Sequence, residues 1–326
     1  MTETMRDTID GAWQAQAAND AVRDIFSAAT LEGLKFPPVR YVIDDYLPEG
    51  LTILAGKPKI GKSWLSLGFG IAVARGSNAM GDIPTEAGDV LFLALEDNAR
   101  RLQSRLNKMI PEGRWPSRLE ISTEWPRLDA GGLEKIQEWI DGKDAPRMIV
   151  IDTLARVRQQ AGRNDSTYEA DYAALTGLHR IAKSAGIAVV AVHHVRKMDA
   201  DDPLDTVSGT TGLTGAADTT LVLTRGQAEA DAILYGRGRD IEEIETAMKF
   251  ESATGAWLIL GDADDYRRTK ERQQIIDVLR NADEPMGPRD IAAATEQPEA
   301  NVRRMLSRLV SDEEIKKTGR GQYEAL

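Results

Sequence analysis

Residues 56–64 read Gly56-Lys57-Pro58-Lys59-Ile60-Gly61-Lys62-Ser63-Trp64. Two glycines separated by four residues and followed by Lys-Ser suit a loop whose backbone N–H groups turn inward around phosphate oxygens. An apolar run, Leu51–Ala55, precedes the loop, and a helix-forming stretch follows it. The start of that helix adds the positive end of its dipole. In such a loop Lys62 reaches the β- and γ-phosphates and Ser63 holds Mg²⁺. The predicted chemistry is binding and cleavage of a nucleoside triphosphate, with ATP and Mg²⁺ as ligands. The remaining loop residues, from Gly56 to Trp64, form the wall of the site.

Two more acids close apolar runs. Asp152 ends "RMIVID", roughly 90 residues after Lys62. A carboxylate there orients the water shell of Mg²⁺; the competing reading is a cap for the next helix. Glu96 ends "VLFLALE" and is the candidate general base that orients the attacking water. Asp97 stands either as a reserve base or as the cap of "NARRLQSRL". Both acids also suit a helix start, where the dipole favours negative charge.

These residues need strands to carry them. Short apolar runs lie at Leu51–Ala55, Val90–Leu95, Met148–Ile151, Ile187–Val192 and Thr219–Leu223. Helix-period segments separate the first four, which predicts an α/β fold with a mainly parallel sheet. "DAILYGRGRD" and "ETAMKFESATGAWLIL" read as hairpin-like strands with "SATG" as the turn. The expected organisation is a helical arm over 1–36, an ATPase domain over 37–264 and a smaller domain over 265–326.

The bulk composition narrows the classes. The chain has 326 residues, a formal net charge of −11 and no cysteine. That excludes a disulfide framework, a thiolate zinc site and a cysteine nucleophile. It fits a reducing cytosol, so the expected location is cytoplasmic. The first residues lack the basic-then-apolar pattern of a signal peptide. "WLSLGFGIAVA" is too short and glycine-rich to span a bilayer, so no membrane partner is expected. The negative charge argues against a blanket nucleic-acid coat and leaves room for local basic loops.

The order of these pieces resembles the RecA-like hexameric ATPases, close to the RepA-type replicative helicases of phages, plasmids and prophages. "LAGKPKIGKSWL", "LALED", "MIVIDTLARVR", "VVAVHHVRK", "VSGTTGLTGAADTTLVL" and "GRGRD" carry the resemblance over roughly residues 37–260. It implies a ring, with a hexamer expected, and Glu96 as catalytic base. It implies a γ-phosphate sensor at His194; the neighbouring His193 faces the other way along a strand. His179, in a helical segment, receives no role. The resemblance also implies an arginine finger given to the neighbouring subunit, Arg239, assisted by Arg237. Their two-residue spacing puts both on one strand face. It implies single-stranded DNA in a central channel lined by two loops, bringing Arg156, Arg158, Arg163, Arg196 and Lys197. The second loop also carries Asp199, Asp201, Asp202 and Asp205, a departure from a purely cationic channel.

The last 60 or so residues read as three short helices and a glycine-turned hairpin. Ile275, Val278 and Leu279 form one apolar stripe. Val302, Met305, Leu306 and Leu309 form another at i, i+3, i+4, i+7. The pattern resembles a winged helix-turn-helix. Its third helix and wing would meet duplex DNA through Arg304, Arg308, Lys316, Lys317 and Arg320. The competing use is protein docking, favoured by nearby acids such as Glu299, Asp312 and Glu314. Two functions follow: a DNA-stimulated ring motor that acts as a replicative helicase, or a DNA-bound ATP switch that regulates, loads or mediates recombination without translocating.

Overall fold

The computed structural model describes residues 27–158, 167–195, 202–207, 215–226, 230–282, 284–312 and 314–326. The chain divides into two units, residues up to Tyr41 and Val42–Leu326. In the first, helix α1 (Ala28–Glu32) starts at Ser27, whose hydroxyl accepts from Thr30 N at 3.1 Å. Most of the expected arm, residues 1–26, lies outside the described residues, and residues 33–40 have no helix. Leu31, Phe36 and Val39 are exposed.

From Tyr41 the order is β1 (Tyr41–Ile43), β2 (Leu47–Pro48), β3 (Gly50–Gly56), α2 (Lys62–Arg75), β4 (Asp89–Ala94), α3 (Ala99–Met109) and β5 (Leu119–Ser122). Next come α4 (Leu133–Asp141), β6 (Pro146–Asp152), α5 (Leu154–Val157), α6 (Thr167–Ala185), β7 (Ala188–His194) and β8 (Thr219–Arg225). Strands β9 (Ala232–Gly238), β10 (Ile244–Glu251) and β11 (Ala256–Asp262) complete the main sheet, which runs β11-β10-β9-β8-β3-β7-β6-β4-β5. The six strands from β5 to β8 are parallel, and β9, β10 and β11 are antiparallel.

The apolar runs become central strands because parallel strands are covered on both faces and can carry almost no polar side chain. Alternation splits them between two cores. Leu54, Phe92, Val150 and Val190 pack with α2 on one face. Ile53, Leu93, Ile151 and Val189 pack with α4 and α6 on the other. All five predicted strand runs are present; β5, whose "LEIS" alternates rather than forming an apolar run, is an additional edge strand.

Helix α7 (Ala263–Arg280) leaves the sheet as one continuous rod. Ala263 and Tyr266 pack against Ile233 and Ala247 of the sheet. Farther along, Ile275, Ile276 and Leu279 enter a separate core with α8 (Pro288–Thr295), α9 (Glu299–Ser311), β12 (Ile315–Gly319) and β13 (Gln322–Ala325). This is a winged helix-turn-helix. Its α7 stripe uses Ile276 where the sequence pointed to Val278, which is half-buried. Among the described residues, no helix is long and apolar enough to cross a membrane.

Candidate nucleotide-binding site

Strand β3 ends at Gly56, and α2 begins at Lys62 with Gly61 in the left-handed region (φ 108°) at its cap. Both glycines are required by close approach. A Cβ on Gly56 would lie 2.5 Å from Leu223 O, and one on Gly61 2.7 Å from the Trp257 ring. The loop between them, Lys57-Pro58-Lys59, is exposed, whereas Lys62 is 4% exposed. Its Nζ donates to Gly56 O at 2.7 Å and Lys57 O at 3.2 Å. Burial pulls the Lys62 ammonium down to about 8, with Asp152 and Glu96 partly opposing.

Sheet register brings the remaining groups to the same edge. Ligands of parallel α/β sheets sit outside the carboxyl ends of the strands. Gly56 on β3 pairs with His194 on β7, and Asp152 on β6 pairs with Ala94 on β4. His194 Nδ1 accepts from Lys62 Nζ at 3.2 Å, and its Nε2 lies 3.9 Å from Glu96 Oε2. Thr153 Oγ1 donates to Glu96 Oε1 at 3.1 Å. Asp152 is 5% exposed; burial raises its carboxyl, opposed by a hydrogen bond from the Ser63 hydroxyl. The structure therefore gathers Lys62, Ser63, Glu96, Asp152 and His194 at one sheet edge.

This geometry fits a triphosphate with Mg²⁺. The glycines keep the loop bare, and the Ser63–Asp152 pair offers the two oxygens that a partly hydrated cation takes from protein beside phosphate oxygens. Among the described residues, no separate cluster of three or more His, Asp or Glu side chains could hold a metal.

Asp97 is neither a free carboxylate nor a cap. Arg101 Nε binds it at 2.8 Å, and Arg105 binds its other oxygen. The cap of α3 is Asn98, whose Oδ1 accepts from Arg101 N at 3.0 Å. Of the two roles open to Asp97, the cap goes to its neighbour Asn98, because Asp and Asn serve equally there; the arginines on the next turns claim the acid.

Sequence reasoning missed the support behind the loop. Trp257 Nε1 donates to Gly61 O at 3.2 Å. Phe250 lies 5.2 Å from Trp257 and 5.9 Å from Trp64, centroid to centroid. The Arg105 guanidinium sits 5.2 Å over the Trp64 ring. Phe250 and Trp257 come from β10 and β11, far along the chain, and no local spacing announces the contact.

The two candidate finger residues lie elsewhere. Thr219 of β8 pairs with Gly238, while Leu223 of β8 pairs with Gly56. Four strand residues, about 13 Å, thus separate the arginine end of β9 from the phosphate loop. Strand β9 stops at Gly238, so the expected shared face does not extend to Arg239. Arg237 pairs with Asp202 at 3.1 Å and with Glu243; Arg239 pairs with Asp218 at 3.4 Å.

Of the candidate channel residues, Arg163, Arg196 and Lys197 lie outside the described residues. Arg158 closes α5, and Arg156 Nε stands 3.9 Å from Glu96 Oε1, beside the site. On the winged helix, Arg304, Arg308, Lys317 and Arg320 are exposed, and Lys316 pairs with Glu324 at 3.2 Å. The acids Asp312 and Glu314 are held by Arg272, and Glu299 by Arg303.

Residues 19–200 match the AAA domain family, and residues 274–313 match the IclR helix-turn-helix domain. No curated protein matches the sequence at a significant level. Among solved structures, one ATPase domain is similar with a TM-score of 0.54 and 15% identity, covering 65% of this chain and 85% of that one. A DnaB-like replicative helicase, solved for its interactions with primase, also gives a TM-score of 0.54 and 15% identity, covering 78% of this chain and 75% of that one. At that identity the likeness establishes the fold, the RecA-like one of those ATPases. The phosphate loop, its strand-end acids and a family match across more than half the sequence agree: the chain belongs to the AAA domain family and is a P-loop ATPase.

Proposed function

We propose that the protein is a ring-forming, DNA-stimulated ATPase that serves as a replicative helicase of a mobile element, with a hexamer as its working form. One observation carries this reading. The phosphate-handling groups share the carboxyl edge of the sheet, while Arg237 and Arg239 stand at the opposite strand ends. The separation along the sheet, about 13 Å at Gly238, keeps Arg239 away from its own chain's phosphate loop and supports a role for it in a neighbouring subunit's site.

In this account Lys62 exchanges its loop carbonyls for β- and γ-phosphate oxygens. Ser63 and Asp152 would hold Mg²⁺, which when bound would supply positive charge beside the phosphate oxygens. Glu96, aimed by Thr153, takes a proton from the attacking water. His194 bridges Lys62 and Glu96 and leads directly into the segment after β7, so nucleotide state is felt where DNA would run. Arg239 from the next subunit stabilises the transferring phosphoryl. Arg237, already held by two carboxylates of its own chain, assists from further away. Single-stranded DNA would pass the segments after β6 and β7, with Arg158, Arg163, Arg196 and Lys197 as backbone contacts. Arg156 links that path to Glu96.

A second reading has its own support. The winged helix has an independent core and an exposed basic face on α9 and the wing. A DNA-bound ATP switch would use that face to find a site and would hydrolyse ATP slowly. Strand separation on a forked duplex, with ATP and Mg²⁺, separates the two: unwinding that Glu96→Gln abolishes supports the motor. Tight duplex binding without unwinding supports the switch.

A further inference from the structure

We propose that Asp218 is a positioning residue that presents Arg239 to the neighbouring active site, with His179 locking it in place. This rests on the reading that Arg239 acts across a subunit interface. Asp218 is anchored at the amino end of the sheet: its Oδ2 accepts from Leu51 N at 2.9 Å. Its Oδ1 meets His179 Nε2 at 3.1 Å and Arg239 NH1 at 3.4 Å. The backbone reinforces the pairing, because Arg239 N donates to Asp218 O at 2.9 Å. Gly215 O takes the other guanidinium nitrogen at 3.3 Å. Gly238 permits the close approach; a Cβ there would lie 2.8 Å from Asp218 O.

The exposures fit a presenter and its cargo. Asp218 is 15% exposed, whereas the Arg239 side chain is 63% exposed. The carboxylate is fixed, and the guanidinium projects to solvent from it. An exposed ion pair is weak, so Arg239 keeps one direction yet exchanges Asp218 readily for a phosphate oxygen. Arg237 differs, being paired with both Asp202 and Glu243. His179 on α6 takes up a share of Oδ1 and limits rotation of the carboxylate. An isolated histidine in a helix thereby acquires a role that its sequence context does not show.

Asp218→Asn is the informative change. Its amide oxygen still accepts from Leu51 N, but its NH₂ cannot accept from Arg239. The assembled variant should lose about tenfold to a hundredfold in kcat, part of what a whole finger contributes, with ATP affinity unchanged. Mixed assemblies test where the defect lies. Asp218→Asn mixed with Lys62→Ala should recover turnover, because the Lys62→Ala subunit supplies an intact finger. Asp218→Asn mixed with Arg239→Ala should not. Equal recovery in both mixtures, or an unchanged kcat, would overturn the proposal. Lys62→Ala mixed with Arg239→Ala is the control: if it recovers nothing, the interface reading itself fails and takes this proposal with it. Should Asp218→Asn not assemble, His179→Phe keeps the Leu51 contact and should show the same finger-side defect in smaller size; a defect on the phosphate-loop side would overturn the assignment.

Discussion

Lys62 Nζ donates to His194 Nδ1 at 3.2 Å, so the phosphate-loop lysine and the end of β7 form one unit. The pairing of Gly56 with His194 in the sheet makes this contact a consequence of register. The other ring nitrogen, Nε2, lies 3.9 Å from Glu96 Oε2, so the same ring stands beside both groups.

Nucleotide affinity should depend on pH through Lys62. Burial holds its ammonium at about 8, and phosphate binds only the charged form. A ligand that prefers the protonated lysine binds best below that value. Affinity should therefore fall as pH rises through about 8, by up to about tenfold per pH unit. Lys62→Arg should flatten the profile, since a guanidinium does not titrate there, and Lys62→Ala should lose binding. Dissociation constants measured from about pH 6.5 to about pH 9.5, on either side of the lysine's titration, check all three, and a flat wild-type profile contradicts the account.

Glu96→Gln should keep ATP affinity and lower kcat by about 10²–10⁴, the usual worth of a general base. Thr153→Val should lower kcat less, because it removes only the hydrogen bond that aims Glu96. Steady-state turnover with parallel binding measurements decides; normal turnover in Glu96→Gln removes Glu96 from the mechanism.

The hairpin behind the loop should matter to stability. Gly61→Ala puts a Cβ 2.7 Å from the Trp257 ring at a φ of 108°. Overpacking of this kind costs about 1–3 kcal/mol. Trp257→Phe loses chiefly the bond to Gly61 O, worth about 1 kcal/mol. Denaturant midpoints should rank wild type above Trp257→Phe above Gly61→Ala.

The winged helix should separate from turnover. Arg304→Ala and Arg308→Ala should each weaken duplex binding and reduce the salt slope by about one unit, with ATPase in the absence of DNA unchanged. Binding isotherms at several salt concentrations check this. Unaltered isotherms would assign the domain to protein docking.

Much of this was legible in residue types. Leu51–Ala55 and Met148–Ile151 announce buried parallel strands because such strands tolerate few polar side chains. Gly56, Gly61, Lys62 and Ser63 announce phosphate because that spacing leaves the amides free to turn inward. What escaped depends on tertiary contact. Phe250 and Trp257 reach the loop from the antiparallel edge. Asp97 is open to two readings in the sequence, reserve base or cap, and neither foresees that Arg101 and Arg105 on the following turns claim it. Asp218 lies just before β8, inside "VSGTTGLTGAADTTLVL", but that stretch marks no role for its acid, and its partner His179 comes from α6, 39 residues earlier. Leu119–Ser122 is an edge strand whose alternation is too short to stand out.

The central claim is that the active site is completed by a second subunit. Its most direct test is ATPase rate per subunit against protein concentration, with and without single-stranded DNA, alongside mass in solution. The expected rate rises steeply as subunits assemble, rises again with DNA, and stays low at every concentration in Arg239→Ala. A slow rate that is flat with concentration and indifferent to DNA, from a monomer or dimer, would contradict it.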